Sequence, residues 1–527
     1  MARRTTPSSS HLLDLAVWTV ALWASFLNLL NFNHYPLFRP EVGLTLIGLA
    51  LIGALLGAVQ QLARPRLSFL FIALFATVMV DLNAPIDLNW LYVVWFVLAL
   101  AAFFAEHALL KVILAAFTAV LLFQLTTLIT GFGGPVRSEN MAQNRQAPGG
   151  RTATRPVIVH LVLDSYLGLD GMALGPDVYR QLRAEQTAFF IEHGFQIYPR
   201  AYSRHPRTMN SLPYLFSYGA TPPAVHFTNA EYAVPEELPY FDDLDKRGYR
   251  TSAVLPAYFD LCVKQKLTHC HNFETSALTS MLGTKMSVFD RSKVFGFTLL
   301  HLAIMPSRVA WVLQLAAENS FGSESRWFYN RSKLFPLASL REMERFTADL
   351  HGLQPGEARI AHFLLPHDPY ILSADCTVKP ARAWLDEHGP GAEIEREKAY
   401  ADQVRCVQNQ LANVLATLDR TPAGRNAIVL IHGDHGSRIT PAMPYLGGPK
   451  LSQREMLMSH STLFAVRVPG EAAGEIAGTH ALDELMADFR RRDFASAPRP
   501  KAAPARVLIM DANWDPREWR SLPDFSQ

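Results

Sequence analysis

Five apolar segments follow one another before residue 132, and they constrain this chain more than any other feature. They cover residues 12–32, 43–63, 67–82, 90–105 and 108–131. Each is near the roughly 20 residues that cross a bilayer as a helix. A cleavable signal peptide has one short apolar region, so it does not account for a series. The pattern predicts an N-terminal transmembrane helix bundle of about five spans.

The basic residues around these segments predict how the bundle is oriented. Most of them fall on one side of a five-span bundle: Arg3, Arg4, Arg64, Arg66 and Lys111. Only Arg39 lies on the opposite side. Cytoplasmic loops carry the excess of Lys and Arg, so the N-terminus is expected in the cytoplasm and the chain after residue 131 outside it. We expect a multi-pass protein of the cell (inner) membrane, with a soluble domain on the periplasmic or extracellular side.

The rest of the chain has the composition of a linker followed by one soluble domain. Residues 132–155 are rich in Gly, Pro, Asn, Gln and Arg and have no apolar period, which is typical of a linker. We therefore predict an anchor at 1–131, a linker at 132–155 and a catalytic domain at 156–527. The net charge of the whole chain is +2, so nothing in it favours a nucleic-acid partner.

Strands alternate with helices in the predicted domain, which favours an α/β fold with helices on both faces of a sheet. Strand-like runs occupy residues 156–163, 195–199, 249–255, 359–365, 427–432, 462–468 and 506–510. The clearest helix covers 400–418, where apolar residues recur at three- and four-residue spacing. The stretch 294–317 is the most apolar one outside the anchor, and it fits either a helix on the membrane surface or a helix hairpin in the domain core.

Polar residues follow two of these strands, where α/β sheets place their ligands. Asp164 directly follows the run 156–163, and it is either a site residue or the cap of the next helix. Asp434 and His435 lie between glycines after the run 427–432, and their oxygen and nitrogen atoms suit a zinc-like ion. Thr208 opens a predicted helix, where free N–H groups favour an anion, although a plain helix cap has the same pattern.

These motifs together resemble the alkaline phosphatase superfamily, and within it the membrane-anchored sulfatase-like group that includes phosphoethanolamine transferases and lipoteichoic acid synthases. The resemblance adds Leu365-Pro-His367-Asp-Pro-Tyr370 and spans residues 156–470. It implies an α/β/α sandwich in which a divalent metal ion, with zinc as the best fit, is held by four residues: Asp164, Thr208, Asp434 and His435. It also implies that Thr208 is the nucleophile and that His367 contacts the transferred group or a second metal.

The chain departs at two points from the pattern of the phosphoethanolamine transferases and at one point from that of the true sulfatases. The phosphoethanolamine transferases usually have Glu at the position of Asp164. They also carry a further His about a dozen residues after the Asp-His pair, whereas here the next one is His460, a substitute metal ligand or a structural histidine. Thr208 stands where sulfatases have a Cys or Ser that becomes formylglycine, so sulfatase activity of that kind is not expected.

The expected activity is transfer of a phospho-alcohol group from a membrane lipid donor to a glycan or lipid acceptor of the cell envelope. The resemblance implies that this transfer passes through a phospho-threonine at Thr208. The alternatives are a hydrolase, either of phosphoesters with the same phospho-threonine intermediate or of sulfoesters, and a non-catalytic membrane scaffold. All four cysteines lie in the part expected outside the cytoplasm, where disulfides persist. We predict the local pairs Cys262–Cys270 and Cys376–Cys406 among the three possible pairings, against the alternative of four free thiols.

Overall fold

The computed structural model describes residues 8–63, 67–83, 88–130, 155–220, 225–229, 232–304, 334–380, 383–385, 393–437, 439, 451–501, 503–510 and 516–525. It divides the chain into two compact units. One combines Met1–Val136 with Met281–Arg331, and the other combines Arg137–Ser280 with Ser332–Gln527. The segment Met281–Arg331 therefore departs from the predicted partition, which placed all residues from 156 onwards in one domain.

Fourteen α-helices and fourteen strands are defined in the described residues. The helices are α1 (Ser8–Phe32), α2 (Pro40–Ala63), α3 (Ser68–Asn83), α4 (Leu88–Thr130), α5 (Leu169–Ala173), α6 (Asp177–Glu192), α7 (Thr208–Phe216), α8 (Pro239–Lys246), α9 (Val288–Ile304), α10 (Phe335–Asp349), α11 (Glu393–Asp419), α12 (Pro422–Arg425), α13 (Gln453–His460) and α14 (Leu482–Arg491). The strands are β1 (Ile158–Leu163), β2 (Gln196–Ile197), β3 (Arg200–Tyr202), β4 (Val225–Asn229), β5 (Tyr232–Pro235), β6 (Arg250–Pro256), β7 (His269–Phe273), β8 (Glu357–Phe363), β9 (Ile428–Gly433), β10 (Phe464–Arg467), β11 (Gly474–Glu475), β12 (Thr479–Ala481), β13 (Arg506–Met510) and β14 (Pro516–Ser521).

The first unit contains the apolar helices of the predicted anchor. Among the described residues, three helical segments are long and apolar enough to cross a membrane, namely Leu12–Phe32, Pro40–Ala63 and Asn89–Thr130, and a shorter apolar helix covers Ser68–Asp81. The third segment has 42 residues, about twice what one crossing needs. The backbone of α4 leaves helical geometry at Ala105 (φ −145°, ψ 46°), where the sequence predicted the end of the fourth span.

Polar side chains within these helices bind one another. The Trp18 indole donates to Gln60 Oε1 at 2.7 Å, and Gln60 Nε2 donates to Asp14 Oδ1 at 3.2 Å. Further along α1, Gln124 Nε2 donates to Asn28 Oδ1 at 2.9 Å. Hydrocarbon offers no alternative hydrogen-bond partners, so such contacts hold neighbouring spans together.

The helix α9 belongs to this first unit and packs on α1 and α2. Its Phe295 is fully buried and meets the rings of Phe26 and Tyr35, with ring centres 5.4 and 5.0 Å away. Ser292 Oγ donates to the backbone oxygen of Glu41 at 3.0 Å. The described part of the apolar stretch 294–317 thus packs on the apolar helices of the first unit, so the predicted hairpin in the domain core is wrong for it, while the helix on the membrane surface stays a prediction. Residues 305–317 lie outside the described residues.

The second unit is built on an eight-stranded mixed sheet with the strand order β11-β2-β10-β9-β1-β8-β6-β7. The strands β9, β1, β8, β6 and β7 run parallel, and β10 is antiparallel to β9 and β2. Three two-stranded sheets complete the unit: β3 with β12, β4 with β5, and β13 with β14. The predicted strand 506–510 therefore exists but lies outside the main sheet.

Helices cover both faces of the main sheet. Ile158 and Val162 of β1 join a buried cluster with apolar residues of α7, α8 and α14. On the opposite face, Phe363 of β8 meets Phe346 of α10 with ring centres 5.9 Å apart. This arrangement confirms the predicted α/β fold with helices on both faces. Both predicted disulfides, Cys262–Cys270 and Cys376–Cys406, are also present.

Candidate metal and phosphoryl-transfer site

Two carboxylates meet where neighbouring parallel strands end. Asp164 follows β1 and Asp434 follows β9, and the paired residues Leu163 and Gly433 are the last of their strands. Both carboxylates are buried, with exposed fractions of 1% and 0%. Because the carboxyl ends of parallel strands open into one crevice, the topology of the sheet brings these distant residues together.

The turn after β1 is fixed by hydrogen bonds on both sides of Ser165. The backbone of Ser165 has a positive φ of 62°, which is uncommon for a residue other than glycine. In this conformation Ser165 N donates to Asp434 Oδ1 at 3.0 Å. The Tyr400 hydroxyl donates to Ser165 O at 3.0 Å and accepts from Leu167 N at 2.8 Å. The strained turn therefore holds the Asp434 carboxylate in place.

Thr208 is the first residue of α7, as the sequence predicted, and its hydroxyl points at both carboxylates. Thr208 Oγ1 lies 2.6 Å from Asp434 Oδ2 and 3.3 Å from Asp164 Oδ2. Ser211, one turn along the helix, donates to the backbone oxygen of Asp434 at 2.5 Å. Two hydrogen bonds thus connect the start of α7 to Asp434.

His435 completes a compact group with the two carboxylates. One ligand atom from each of Asp164, Asp434 and His435 lies within 4.8 Å of the others. His435 Nδ1 lies 2.8 Å from Gly436 O, which leaves Nε2 facing Asp164 Oδ1 at 3.6 Å and Asp434 Oδ2 at 3.4 Å. A carbonyl at one ring nitrogen is the arrangement that orients metal-binding histidines.

Histidines around Asp164 favour its ionised form. Burial alone would raise the pKa of Asp164, but the imidazoles of His367, His362 and His435 hold that pKa below its ordinary value. The Asp164 side chain is therefore a carboxylate, as a metal ligand must be.

The residues of this group fit a divalent cation. Two carboxylates, one imidazole nitrogen and one hydroxyl oxygen converge without a lysine or arginine among them. Nitrogen and oxygen ligands in this number suit zinc, which prefers four ligands in tetrahedral geometry. The structure thus brings together the four predicted residues Asp164, Thr208, Asp434 and His435.

The predicted residue His367 lies in the loop after β8, close enough to Asp164 to lower the pKa of that carboxyl. Its Nδ1 is 2.7 Å from Asp368 O, and 17% of its side chain is exposed. The loop is held by the buried side chain of Gln403, which donates to the backbone oxygens of Pro366 and His367 at 3.2 and 2.8 Å. His367 thus borders the site from a fixed, partly open position.

Two other histidines, the predicted candidate ligand His460 and the β9 residue His432, lie outside the group of Asp164, Asp434 and His435. His460 is the last residue of α13, and its Nδ1 lies 2.9 Å from Ser203 O. Burial lowers the pKa of His460 to about 3, so its ring is neutral. The ring nitrogens of His432, in β9, contact His160 Nε2 at 2.7 Å and Gly433 O at 2.7 Å.

His362 was not singled out in the sequence, yet the structure places it beside Asp164. It lies in β8, level with Val162 of β1, and its Nε2 is 3.6 Å from Asp164 Oδ2. The residue is buried, and neither ring nitrogen has a hydrogen-bond partner among the described residues. The sequence signal for His362 was its position near the carboxyl end of a predicted strand, 359–365, where α/β sheets place their ligands.

Comparisons with solved structures find matches of low sequence identity. The C-terminal periplasmic domain of EcEptC from Escherichia coli is 13% identical, with a TM-score of 0.37, over 71% of this chain and 95% of that one. An alkaline phosphatase superfamily protein from Vibrio parahaemolyticus is 12% identical, with a TM-score of 0.37, over 68% and 73% of the two chains. A phosphonate monoester hydrolase of Agrobacterium radiobacter is 10% identical, with a TM-score of 0.37, over 67% and 80%.

No protein-family model matches the chain, and no curated protein sequence matches it.

Proposed function

We propose that this chain is a metal-dependent phosphotransferase of the alkaline phosphatase superfamily. It moves a phospho-alcohol group, such as phosphoethanolamine, from a membrane lipid to a glycan or lipid of the cell envelope. The observation that carries the proposal is the position of Thr208 Oγ1, 2.6 and 3.3 Å from two buried carboxylates that also face His435. A hydroxyl that only capped a helix would not need two carboxylates and an imidazole around it.

Asp164, Asp434, His435 and Thr208 are the residues that would hold the cation. When bound, a divalent cation supplies Lewis-acid stabilisation of negative charge on oxygen and lowers the pKa of a hydroxyl. The chain itself holds Thr208 Oγ1 at the start of α7, where the helix N–H groups favour an anionic group. His367 lies at the edge of this position and can contact the group that is transferred.

The proposed reaction has two displacements at phosphorus. In the first, Thr208 Oγ1 bonds to phosphorus and its proton passes to Asp434 Oδ2, 2.6 Å away, while the bond from phosphorus to the diacylglycerol oxygen breaks and that oxygen takes up the proton to leave as diacylglycerol. In the second, a hydroxyl of the acceptor attacks phosphorus, Thr208 Oγ1 leaves, and the proton of the acceptor hydroxyl returns to Thr208 Oγ1. Splitting the transfer in this way lets one site serve two alcohols in turn.

The apolar helices of the first unit support a membrane location for this reaction, because they keep the enzyme in the bilayer that contains the lipid donor. The two disulfides favour an oxidising compartment. We therefore propose that the second unit faces the periplasm or the cell exterior. A reporter that works only outside the cytoplasm should be active when fused after Arg155 and silent when fused after Arg66, and the reverse pattern would contradict this orientation.

The reaction can be tested with purified protein in vesicles of phosphatidylethanolamine supplied with zinc. The proposal predicts that wild type releases diacylglycerol and that Thr208→Ala does not. With envelope lipids and glycans added, phosphoethanolamine should appear on one of them. Free phosphoethanolamine as the sole second product would support the hydrolase alternative, and no diacylglycerol at all would contradict the proposed donor.

A further inference from the structure

Tyr258 reaches the site from a strand that contributes none of the four proposed metal ligands. It follows β6, which is separated from β1 by β8 in the sheet. Its hydroxyl lies 3.4 Å from Asp164 Oδ2 and also interacts with the Thr208 side chain. The phenol is thus beside the proposed nucleophile and one of the two carboxylates.

The backbone around Tyr258 is firmly held. Tyr258 O accepts from Ala233 N at 2.9 Å, and Asp260 N donates to Ala233 O at 2.8 Å, which ties this segment to β5. Cys262 N donates to Asp260 Oδ1 at 2.7 Å, and Cys262 is joined to β7 by its disulfide with Cys270. Phe259 and Leu261 are fully buried, whereas Tyr258 is half-buried. The ring therefore has a fixed position next to Thr208 and keeps contact with solvent.

The hydrogen bond from the Tyr258 hydroxyl to Asp164 is weak. Hydrogen bonds between oxygens are usually about 2.5–3.0 Å long, so a separation of 3.4 Å is at the outer limit. The two carboxylates around Thr208 accept hydrogen bonds and donate none. A phosphoryl group attacked by Thr208 would bring two non-bridging oxygens into a site where Tyr258 offers a neutral O–H group.

We propose that Tyr258 is a catalytic residue whose hydroxyl donates a hydrogen bond to a non-bridging oxygen of the phosphoryl group while Thr208 Oγ1 attacks phosphorus. This inference rests on the proposed function and assigns the residue that binds the transferred group. The proton stays on Tyr258 throughout, because the hydrogen bond only stabilises charge that grows on the phosphoryl oxygen. Donors aimed at such charge are among the larger contributions to catalysis.

The test uses full-length protein loaded with zinc, a p-nitrophenyl phosphodiester, and the separated Rp and Sp phosphorothioates of that diester. Tyr258→Phe removes only the hydroxyl. Tyr179→Phe is the matched control, because the Tyr179 hydroxyl is buried in the second unit with no hydrogen-bond partner among the described residues. We expect kcat for the oxygen diester to fall about 10²-fold in Tyr258→Phe and to stay near wild type in the control.

Two further readouts separate a catalytic role from a structural one. Zinc content and thermal midpoint should match wild type. The rate ratio of the Rp and Sp phosphorothioates should change in Tyr258→Phe, since the hydroxyl contacts only one of the two non-bridging positions. An unchanged kcat, an equal loss for both diastereomers, or loss of zinc would overturn the inference while the proposed function stands. A wild-type enzyme that shows neither diesterase activity nor a Thr208 adduct would overturn both the inference and the proposed function.

Discussion

Arg291 in α9 binds Glu41 in the first turn of α2, although 250 residues separate them in the sequence. Arg291 Nη1 lies 3.2 Å from Glu41 Oε1, and the Tyr35 hydroxyl donates to the same oxygen at 2.6 Å. The Glu41 side chain is fully buried. The chain therefore leaves the first unit after residue 136 and returns to it at residue 281, where this ion pair helps to hold α9.

Removing one member of this pair should destabilise the first unit. Replacing Arg291 with Ala leaves the buried Glu41 charge with the Tyr35 hydroxyl and a longer ion pair to Arg39 at 3.7 Å, so the cost is at most the roughly 3–5 kcal/mol of losing one partner of a buried ion pair. The expected result is a lower thermal midpoint in detergent for Arg291→Ala. Arg180→Ala is the control, because Arg180 pairs with Asp177 on the surface with 61% of its side chain exposed. Equal midpoints for the two variants would contradict the buried pair.

The docking of α9 also predicts that the anchor and the rest of the chain stay together when the linker is cut. A protease site introduced between residues 140 and 150 allows cleavage of the purified full-length protein in detergent. The C-terminal fragment should then co-purify with a tag on the N-terminus, because α9 remains packed on α1 and α2. Adding Arg291→Ala and Phe295→Ala together should release the fragment. Release of the unmodified fragment would contradict the docking.

Substituting a proposed metal ligand should lose the metal ion, whereas substituting a carboxylate elsewhere in the second unit should not. Asp434→Asn and His435→Ala each remove one ligand atom, so zinc content measured by atomic emission should fall well below one ion per chain. Asp177→Asn, on a side chain that is 89% exposed, is the matched control and should keep the ion. Equal zinc in all three variants would show that the ion binds elsewhere.

Much of the second unit could be predicted because its central strands are buried on both sides. The runs that became β1 and β9 are almost continuously apolar, and this pattern is typical of parallel strands covered by helices. The polar strand β7, with the sequence His-Cys-His-Asn-Phe, lies at the edge of the sheet and was not predicted. Edge strands bury less surface, so their sequences carry a weaker signal.

The four proposed ligands could be predicted because each follows or opens a regular element. The closeness of His362 and Tyr258 to Asp164 could not, since it depends on the order β1-β8-β6 in the sheet, which local patterns do not determine. The docking of α9 was missed for a similar reason. An apolar helix has the same composition whether it covers a domain core, a membrane surface or other membrane helices, and only the contacts of Phe295 and Arg291 separate these cases.

Peptide mass spectrometry of protein trapped with donor lipid shows whether Thr208 Oγ1 carries the transferred group. The Thr208 peptide of wild type should gain the mass of the phospho-alcohol group. Thr208→Ser should gain it more slowly, because the hydroxyl remains and only a methyl group is lost. Thr208→Ala should gain nothing while it keeps its zinc through Asp164, Asp434 and His435. An added group on Ser211, or turnover by Thr208→Ala, would contradict the account.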